Sequence, residues 1–533
     1  MHNRTNGASL SVWLDEVEMP TFKPLRGDID ADVCVIGAGL AGLASAYLLA
    51  REGKRVALVE ALGIGAGETG RTTAHFFPPD EWYAGVENGA GRDGARIVAE
   101  SFAAAIALVE RIATEEGIDC EFHRLDGYLY ALPGNGFRDF DKEADAARRA
   151  GVAVDLLPRV PGLPFDTGPC VRYPGQAQFH PLKYLAGLTA AAVRLGVEIY
   201  TGTPASEIVE DAGLRRVITP HGSVTAGSVV VATNTPFNDR VAMHTKQAGY
   251  RTYVIGIRMP KGAFPPILLW DTGDPYYYLR LERIADAGSG DDLLIVGGAD
   301  HKVGQDEHPQ HRYDEIERWV RERFPMAGAV AYRWSGEVME PSDGLAYLGR
   351  DPAGKAPVYM ITGDSGNGMT HTTIGAMIVT DLIMGRDNPW AGLYDPARKV
   401  KHGIGDFLHE QANTLGQYAD WATGGEVDSA AEIPAGEGAI LRDGMKKIAV
   451  YRDASGGLQA LSAACTHLGC VVHWNSAERS WDCPCHGSRF ATDGTVLHGP
   501  APAALAAVEL DDEHRGTPAG DAGRMPGDRP RQP

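Results

Sequence analysis

The 533-residue chain is short of positive charge: 50 lysines and arginines face 70 aspartates and glutamates, a formal net charge of −20. That balance repels phosphate backbones and anionic membrane surfaces, which argues against nucleic acid as a partner. Long apolar runs are missing as well. No stretch reaches the roughly 18 uninterrupted apolar residues that a membrane helix needs. The opening MHNRTNGASLSVWLDEVEMP holds neither an apolar run nor a twin arginine, so a soluble, cytoplasmic protein without a membrane anchor is expected. Cysteine is sparse, at seven. Cys34, Cys120 and Cys170 are scattered, whereas Cys465, Cys470, Cys483 and Cys485 crowd together. This distribution excludes a secreted disulfide scaffold and favours a local metal site.

What is present is ordinary globular composition, 44% hydrophobic and 23% charged, in a chain too long for one core, so two or three domains are expected. Near the start, "DADVCVIGAGLAGLASAYLLAREGKRVALVE" begins with an apolar run, Val33 to Ile36, suited to a fully buried parallel strand. Gly37, Gly39 and Gly42 follow in G-x-G-x-x-G spacing. A helix pattern then runs through Leu40, Leu43, Ala44, Tyr47 and Leu48 to a stop at Gly53, and a second buried strand, Val56 to Val59, ends on Glu60. Gly37 permits the tight turn, Gly39 lets a pyrophosphate approach the backbone, and Gly42 lets helix and strand pack closely. Glu60 would accept hydrogen bonds from ribose hydroxyls. A lone glycine turn is weak evidence, but strand, turn, helix, strand and acid arrive here in order. The motif itself does not separate NAD from FAD.

Two later segments favour FAD. On them and the opening motif, residues 1–395 resemble the FAD-dependent oxidoreductases of the D-amino-acid oxidase and glycine oxidase type. "SVVVATNTP" (228–236), which carries Thr233, looks like the strand and turn by which these enzymes return to the dinucleotide sheet. "VYMITGDSGNGMTHTTIGAMIVTDLIMG" (358–385) looks like their closing flavin motif, with Gly363, Gly366, Gly368 and Met369; its other reading is one more strand-helix unit. The resemblance places the start of that helix near the flavin pyrimidine, where it would stabilise the negative charge of the reduced ring. "GAGETGRTTAHF", with Thr72 and Thr73, is similar to the family's second glycine-rich cofactor loop, and "FHPLKYLAGLTAAAVRLGVEIY" (179–200) to a helix and strand leading back into the FAD domain. The implied fold is α/β (α+β): a Rossmann-like FAD-binding domain in segments 28–80, 175–236 and 336–390, with a mostly antiparallel β substrate domain inserted over 81–174 and 237–335.

In "DPYYYLRLE" (274–282), strand alternation puts Tyr276, Tyr278 and Arg280 on one face. The resembling oxidases use a tyrosine and an arginine to clamp a substrate carboxylate, which makes Tyr278 and Arg280 substrate-site candidates; a solvated sheet face is the plainer reading. No catalytic acid or base stands out, and amine oxidation can be driven mostly by cofactor and orientation. His75 could line the flavin or attach to it. The three histidines of "HKVGQDEHPQH" (301–311) sit in loop composition and read as a solvated turn.

At the other end, Cys465-x-His467 and Cys483-x-x-His486 place one thiolate and one imidazole on each of two loops. Structural zinc sites bring like pairs from one segment, so the mixed loops argue against zinc. They suit a [2Fe–2S] centre in which one iron takes two cysteines and the other two histidines. Residues 428–511 resemble Rieske domains, small all-β folds, through "CTHLGC", "CPCHGS" and the strands "AILRDGMKKIAVYRD" and "LQALSAACT". The resemblance implies Cys465, His467, Cys483 and His486 as iron ligands, Cys470–Cys485 as a disulfide, Ser488 as a donor to a cluster sulfide, and "GPAP" (499–502) as the covering proline loop. Phe490 stands where high-potential Rieske proteins carry a tyrosine, and the missing donor should lower the potential. Residues 396–427 read as a connector, with Phe407, Leu408, Gln411, Leu415, Tyr418 and Ala422 on one helical stripe, and 512–533 as a disordered tail.

The expected activity is that of an FAD-dependent oxidoreductase, oxidising an amine or amino-acid-like small molecule. Its electrons would pass singly through the Rieske centre to an external acceptor, or enter by it from an external donor. A Rieske oxygenase is disfavoured because no two-histidine, one-carboxylate iron domain follows the cluster, and a bc-complex subunit because no anchor helix is seen. A non-catalytic electron carrier or redox sensor is the alternative.

Overall fold

The apolar run Val33–Ile36 is central to a parallel sheet. Strand Ile29–Ile36 pairs in parallel with Val56–Val59 on one side and Gly222–Val231 on the other. Val358–Thr362 and Glu198–Tyr200 extend the sheet in parallel, and Tyr347–Arg350 closes one edge antiparallel. Successive residues point to opposite faces, and both faces are covered. Val33 and Val35 pack with helices Leu40–Arg51, Pro181–Arg194 and Gly368–Ile383, while Cys34 and Ile36 join a second core with Val217 and Val224. The computed structural model describes residues 5–79, 82–131, 140–211, 213–238, 243, 245–283, 290–306, 308–353, 357–399, 413–414 and 416–515.

A second sheet of nine strands stands beside the first. Val330–Pro341, Gln247–Pro260, Asp291–Lys302, Tyr277–Glu282 and Leu268–Asp271 follow one another antiparallel. One parallel step joins Leu268–Asp271 to His123–Tyr130, Cys170–Gln178 and His75–Phe76 follow, and Asp155–Leu157 pairs with Cys170–Gln178 as the ninth strand. Within the region expected to be mostly β, the segment opening at 82 forms a 35-residue helix, Trp82–Glu116, broken at Gly91 (φ 76°). Val98, Phe102, Ala105, Val109 and Ile112 recur on it at helical spacing and bury in the core of the parallel sheet's helical layer.

The carboxy-terminal module holds two small antiparallel sheets, Gly438–Asp443, Lys446–Arg452 and Leu458–Ser462 in one, and His473–Asn475, Ser480–Asp482, Arg489–Phe490 and Val496–His498 in the other. Disorder expected from 512 gives way to a short helix, Asp512–Arg515, because the Asp511 carboxylate accepts the His514 N–H at its start. Residues 516–533 lie outside the described residues, as do Phe407, Leu408, Gln411 and Leu415 of the expected connector stripe. Tyr418–Ala422 is a 3-10 turn rather than an α-helix. Its Tyr418 hydroxyl and Trp421 indole donate to the carbonyls of Leu468 and Gly469, which ties the connector's end to the "CTHLGC" loop. No described helix is long and apolar enough to cross a membrane.

Candidate functional site

The carboxyl ends of the parallel strands meet at one level, since Ile36 lies opposite both Val59 and Val231. Open α/β sheets bind ligands at that edge, and a cavity of about 530 Å³ lies there. Gly37 (φ 106°) turns the chain away from the strand; a Cβ on it would lie 2.4 Å from the Ala232 carbonyl oxygen. Gly42 lies behind the turn, where a Cβ would come 1.9 Å from the Gly37 carbonyl oxygen, so its role is close packing of helix on strand. Glu60 accepts from the N–H groups of Ala38 and Leu62, each at 2.7 Å, and burial pushes its carboxyl up. Gly37, Gly39, Glu60, Thr72, Thr73, Thr233, Gly366, Gly368 and Met369 all line the cavity. Gly363 (φ 73°) does not line it; it shapes the turn beneath, 2.9 Å from Pro341 for an added Cβ. A glycine-walled trough leading from a helix start and a buried acid to a second helix start fits an extended dinucleotide such as FAD.

Beyond this trough the second sheet supplies another wall. Tyr278 lines the cavity, and its hydroxyl shares a 2.8 Å hydrogen bond with that of Thr252. Arg280, a candidate carboxylate clamp whose plainer reading was a solvated sheet face, neither lines the cavity nor meets solvent. The guanidinium is 1% exposed, donates to the carbonyls of Thr73, Ala74 and Phe179 and to Glu282, and lies over the Trp13 ring. Strand alternation placed its Cα correctly, but three inward-facing carbonyls captured the side chain first. His75 is buried beside Thr73 and the rings of Phe77 and Tyr278; burial lowers its pKa to about 3, which keeps the imidazole neutral. Of the three histidines in 301–311, His301 stacks on Tyr253 and meets its hydroxyl at 2.9 Å, while His308 and His311 face each other at a helix start.

In the carboxy-terminal module, loops 465–470 and 483–488 face each other. Cys470 and Cys485 form a disulfide, with Cα atoms 6.5 Å apart, and so supply no thiolate to a metal. Cys465 and Cys483 remain free and buried, and their sulfurs interact: the hydrogen bond with Cys483 draws Cys465 down to about 7, while Cys483 is pushed well above the usual thiol value. His467 and His486 meet edge to face, ring centroids 4.8 Å apart. Ser488 accepts from the Ala501 N–H, which leaves its own proton for the Cys465 sulfur. Two thiols and two imidazoles converging from two disulfide-tied loops are the donor set a Rieske [2Fe–2S] cluster takes.

The residues that form the junction of the two modules were not identified from the sequence. Val496 to Gly499, Ala501 and Pro502 line the same cavity as Gly37 and Met369. His498 enters it with Nδ1 3.2 Å from Glu337 and 3.6 Å from Glu68. Burial opposes its charge, but the two carboxylates raise its pKa to about 10; Glu68, resisted by burial and held by His498, falls to about 2. Glu337 lies on Val330–Pro341, beside Gly487 of the second loop, whose added Cβ would come within 2.3 Å of its carboxylate. Nearby, Arg71 and Glu478 form an ion pair of 3.2 Å with neither side chain exposed, and Arg251 faces Glu337 and Asp482. Residues 6–9 thread between: Ala8 N–H donates to the Glu478 carbonyl and Asn6 N–H to that of Ala66. Nothing local in the sequence marks Arg71 or Glu478; for His498, its place just before "GPAP" was the available signal.

Comparison with known proteins agrees with this geometry. Residues 32–382 match the model of the FAD dependent oxidoreductase family, and residues 425–509 that of the Rieske [2Fe-2S] domain. A putative Rieske 2Fe-2S iron-sulfur protein, YhfW, of Bacillus subtilis is 29% identical over 94% of this chain and 97% of its own. The cytochrome b6-f complex iron-sulfur subunit of Chlorobaculum tepidum is 43% identical over 15% of this chain and 43% of its own. Among solved structures, glycine oxidase of Geobacillus kaustophilus aligns with a TM-score of 0.58 at 21% identity, over 70% of this chain and all of that one.

Proposed function

Because the chain belongs to the FAD-dependent oxidoreductases and carries a carboxy-terminal Rieske domain, we propose that it oxidises a small amine or amino-acid-like molecule and releases the electrons singly to an external acceptor. One observation carries this reading: the cavity suited to FAD has Val496 to Gly499, Ala501 and Pro502 of the Rieske domain in its wall. Bound there, FAD would take an electron pair from the substrate, and the [2Fe–2S] centre would pass single electrons onward.

The chain's own residues have separable tasks. Gly37, Gly39, Thr72, Thr73, Thr233, Gly366, Gly368 and Met369 would hold FAD, with Glu60 at the ribose end. Cys465, His467, Cys483 and His486 would hold the cluster, and the Cys470–Cys485 disulfide fixes the spacing of their loops. His498 with Glu68 and Glu337 lines the cavity on the Rieske side. The test is anaerobic mixing of the holoprotein with candidate amines and amino acids. Flavin bleaching followed by a rhombic low-temperature EPR signal is expected. Bleaching without a cluster signal overturns the electron route, and no bleaching by any organic substrate overturns the enzymatic reading in favour of a carrier.

A further inference from the structure

The wall that the second sheet gives to the cavity is acidic and aromatic. Trp270 pairs with Tyr278 and Tyr277 with Gly298, so the strands bring Trp270, Asp271, Tyr276, Tyr278 and Asp300 to one side of the cavity. Asp271 is 4% exposed. Its Oδ1 accepts from the N–H groups of Gly273 and Tyr277, while its Oδ2 is buried with no hydrogen-bond partner. Asp300 accepts from the Tyr276 hydroxyl at 2.9 Å with Oδ2, and the Thr252 hydroxyl also hydrogen-bonds to its carboxylate. A buried carboxylate oxygen without a donor is costly unless a ligand supplies one.

Cations are missing from the same cavity. Among the described residues that line it, only Arg71, His371 and His498 are basic. Arg71 is engaged by Glu478 and by the carbonyls of Ser335 and Ser9. His371 donates from Nδ1 to the Asp364 carbonyl, and burial lowers its pKa to about 4, so it stays neutral. His498 is paired with Glu337 and Glu68. A substrate carboxylate would therefore meet carboxylates and no available counter-charge, whereas an ammonium would meet the open Asp271 oxygen, the Asp300 carboxylate and three aromatic side chains.

We propose, on the footing of the function above, that this wall binds a cationic alkyl- or arylalkylamine that carries no carboxylate, its ammonium held by Asp271 and Asp300 against Trp270, Tyr276 and Tyr278. Oxidation then balances as follows: R–CH2–NH3+ gives one proton to the Asp300 carboxylate and one hydride to FAD, and the C–N bond becomes C=N. Water hydrolyses the iminium to aldehyde and ammonium, the hydride's two electrons leave to two equivalents of a one-electron acceptor, and its proton and that on Asp300 pass to water. Burial pushes both carboxyls up to about 6, which suits Asp300 to receive that proton.

The test is anaerobic titration of the full-length holoprotein with a series of alkylamines and arylalkylamines and with the α-amino acids that differ from them only by a carboxylate. Amines should bleach the flavin and the matched amino acids should not. Asp271→Asn keeps the oxygen that serves Gly273 and Tyr277, and it and Asp300→Asn should each raise the amine concentration for half-bleaching roughly tenfold to a hundredfold, with an unchanged oxidised flavin spectrum as the folding control. Bleaching by amino acids in preference to amines, or normally folded variants with unaltered amine dependence, overturns the proposal while leaving the oxidoreductase reading intact. Bleaching by neither series overturns both.

Discussion

The two candidate centres are built in opposite ways. All four expected cluster ligands, Cys465, His467, Cys483 and His486, come from two adjacent loops of one small module. The cavity is assembled from positions as distant as Gly37 and Pro502, on two sheets and two modules. A centre made of neighbouring residues carries its chemistry in the spacing itself. A centre made of distant ones depends on packing: alternation singled out Tyr276 and Tyr278, but no local pattern singles out Trp270, Asp271 or Asp300. The comparison predicts that the first can be deleted without the second, whereas damage at the junction should reach both.

The largest effect expected is from Cys483→Ser. Removing one thiolate should abolish the cluster, with iron falling to background and the rhombic EPR signal lost, while FAD stays bound because its glycine-walled trough lies on the parallel sheet. Iron assay and flavin absorbance of the purified variant measure the two independently. Loss of FAD together with iron would mean that the centres are not separable.

Next in size is Glu478→Ala, which strands the Arg71 guanidinium where neither partner is exposed. Breaking such a pair costs about 3–5 kcal/mol, and replacing both members by apolar residues of similar volume recovers most of it. Urea unfolding of Glu478→Ala against Arg71→Met/Glu478→Leu checks this, and both the flavin and the cluster transition should shift to lower urea in the single variant. A shift in one alone would break the claim that the junction is shared.

The same contrast sets what the sequence disclosed. Gly37 to Glu60 was legible because backbone needs, a positive φ and a closely packed helix, force residue types at fixed spacing. The cluster boxes were legible because metal ligands do the same. Helix Trp82–Glu116 was not singled out within the mostly β substrate domain although Val98, Phe102 and Val109 carry helical spacing, since the long insertion was assigned as a whole. Arg280 failed for another reason: period-two alternation gives a side chain's initial direction but not the carbonyls that capture it. His498, Glu68 and Glu337 come together only when two modules dock, and no window of sequence contains that information.

His498 makes the junction pH-dependent. Its pKa in the folded protein, about 10, lies above its ordinary value of 6.5, through its pairing with Glu337 and Glu68 against the cost of burial. Its contribution to stability is therefore complete below about pH 6.5 and is lost as pH rises through about 10. Glu68, held at about 2 instead of 4.5, works in the opposite sense: its share is present above about pH 4.5 and is lost as pH falls through about 2. His498→Gln should cost on the order of 1–3 kcal/mol at pH 6 and much less at pH 10, flattening the alkaline limb of a thermal-unfolding profile. Parallel profiles for variant and parent would show that the ion cluster does not hold the modules together.

The smallest change expected is confined to one centre. Phe490 is fully buried in the same core cluster as Cys465 and Cys483, one residue from Arg489, whose guanidinium is fixed by Asp482. Phe490→Tyr adds a hydroxyl where the resembling high-potential proteins have one, and a buried hydroxyl must find an acceptor. If that acceptor is a cysteine sulfur, the added hydrogen bond stabilises the more negative, reduced cluster. The potential should then rise on the order of tens of millivolts, the one-electron equivalent of a single hydrogen bond. The flavin potential should not move, because the new hydroxyl touches only the local centre. Spectroelectrochemical titration reads both couples in one sample. An unchanged cluster potential would place Phe490 away from the sulfurs, and a shifted flavin would make the cavity sensitive to a side chain that does not line it.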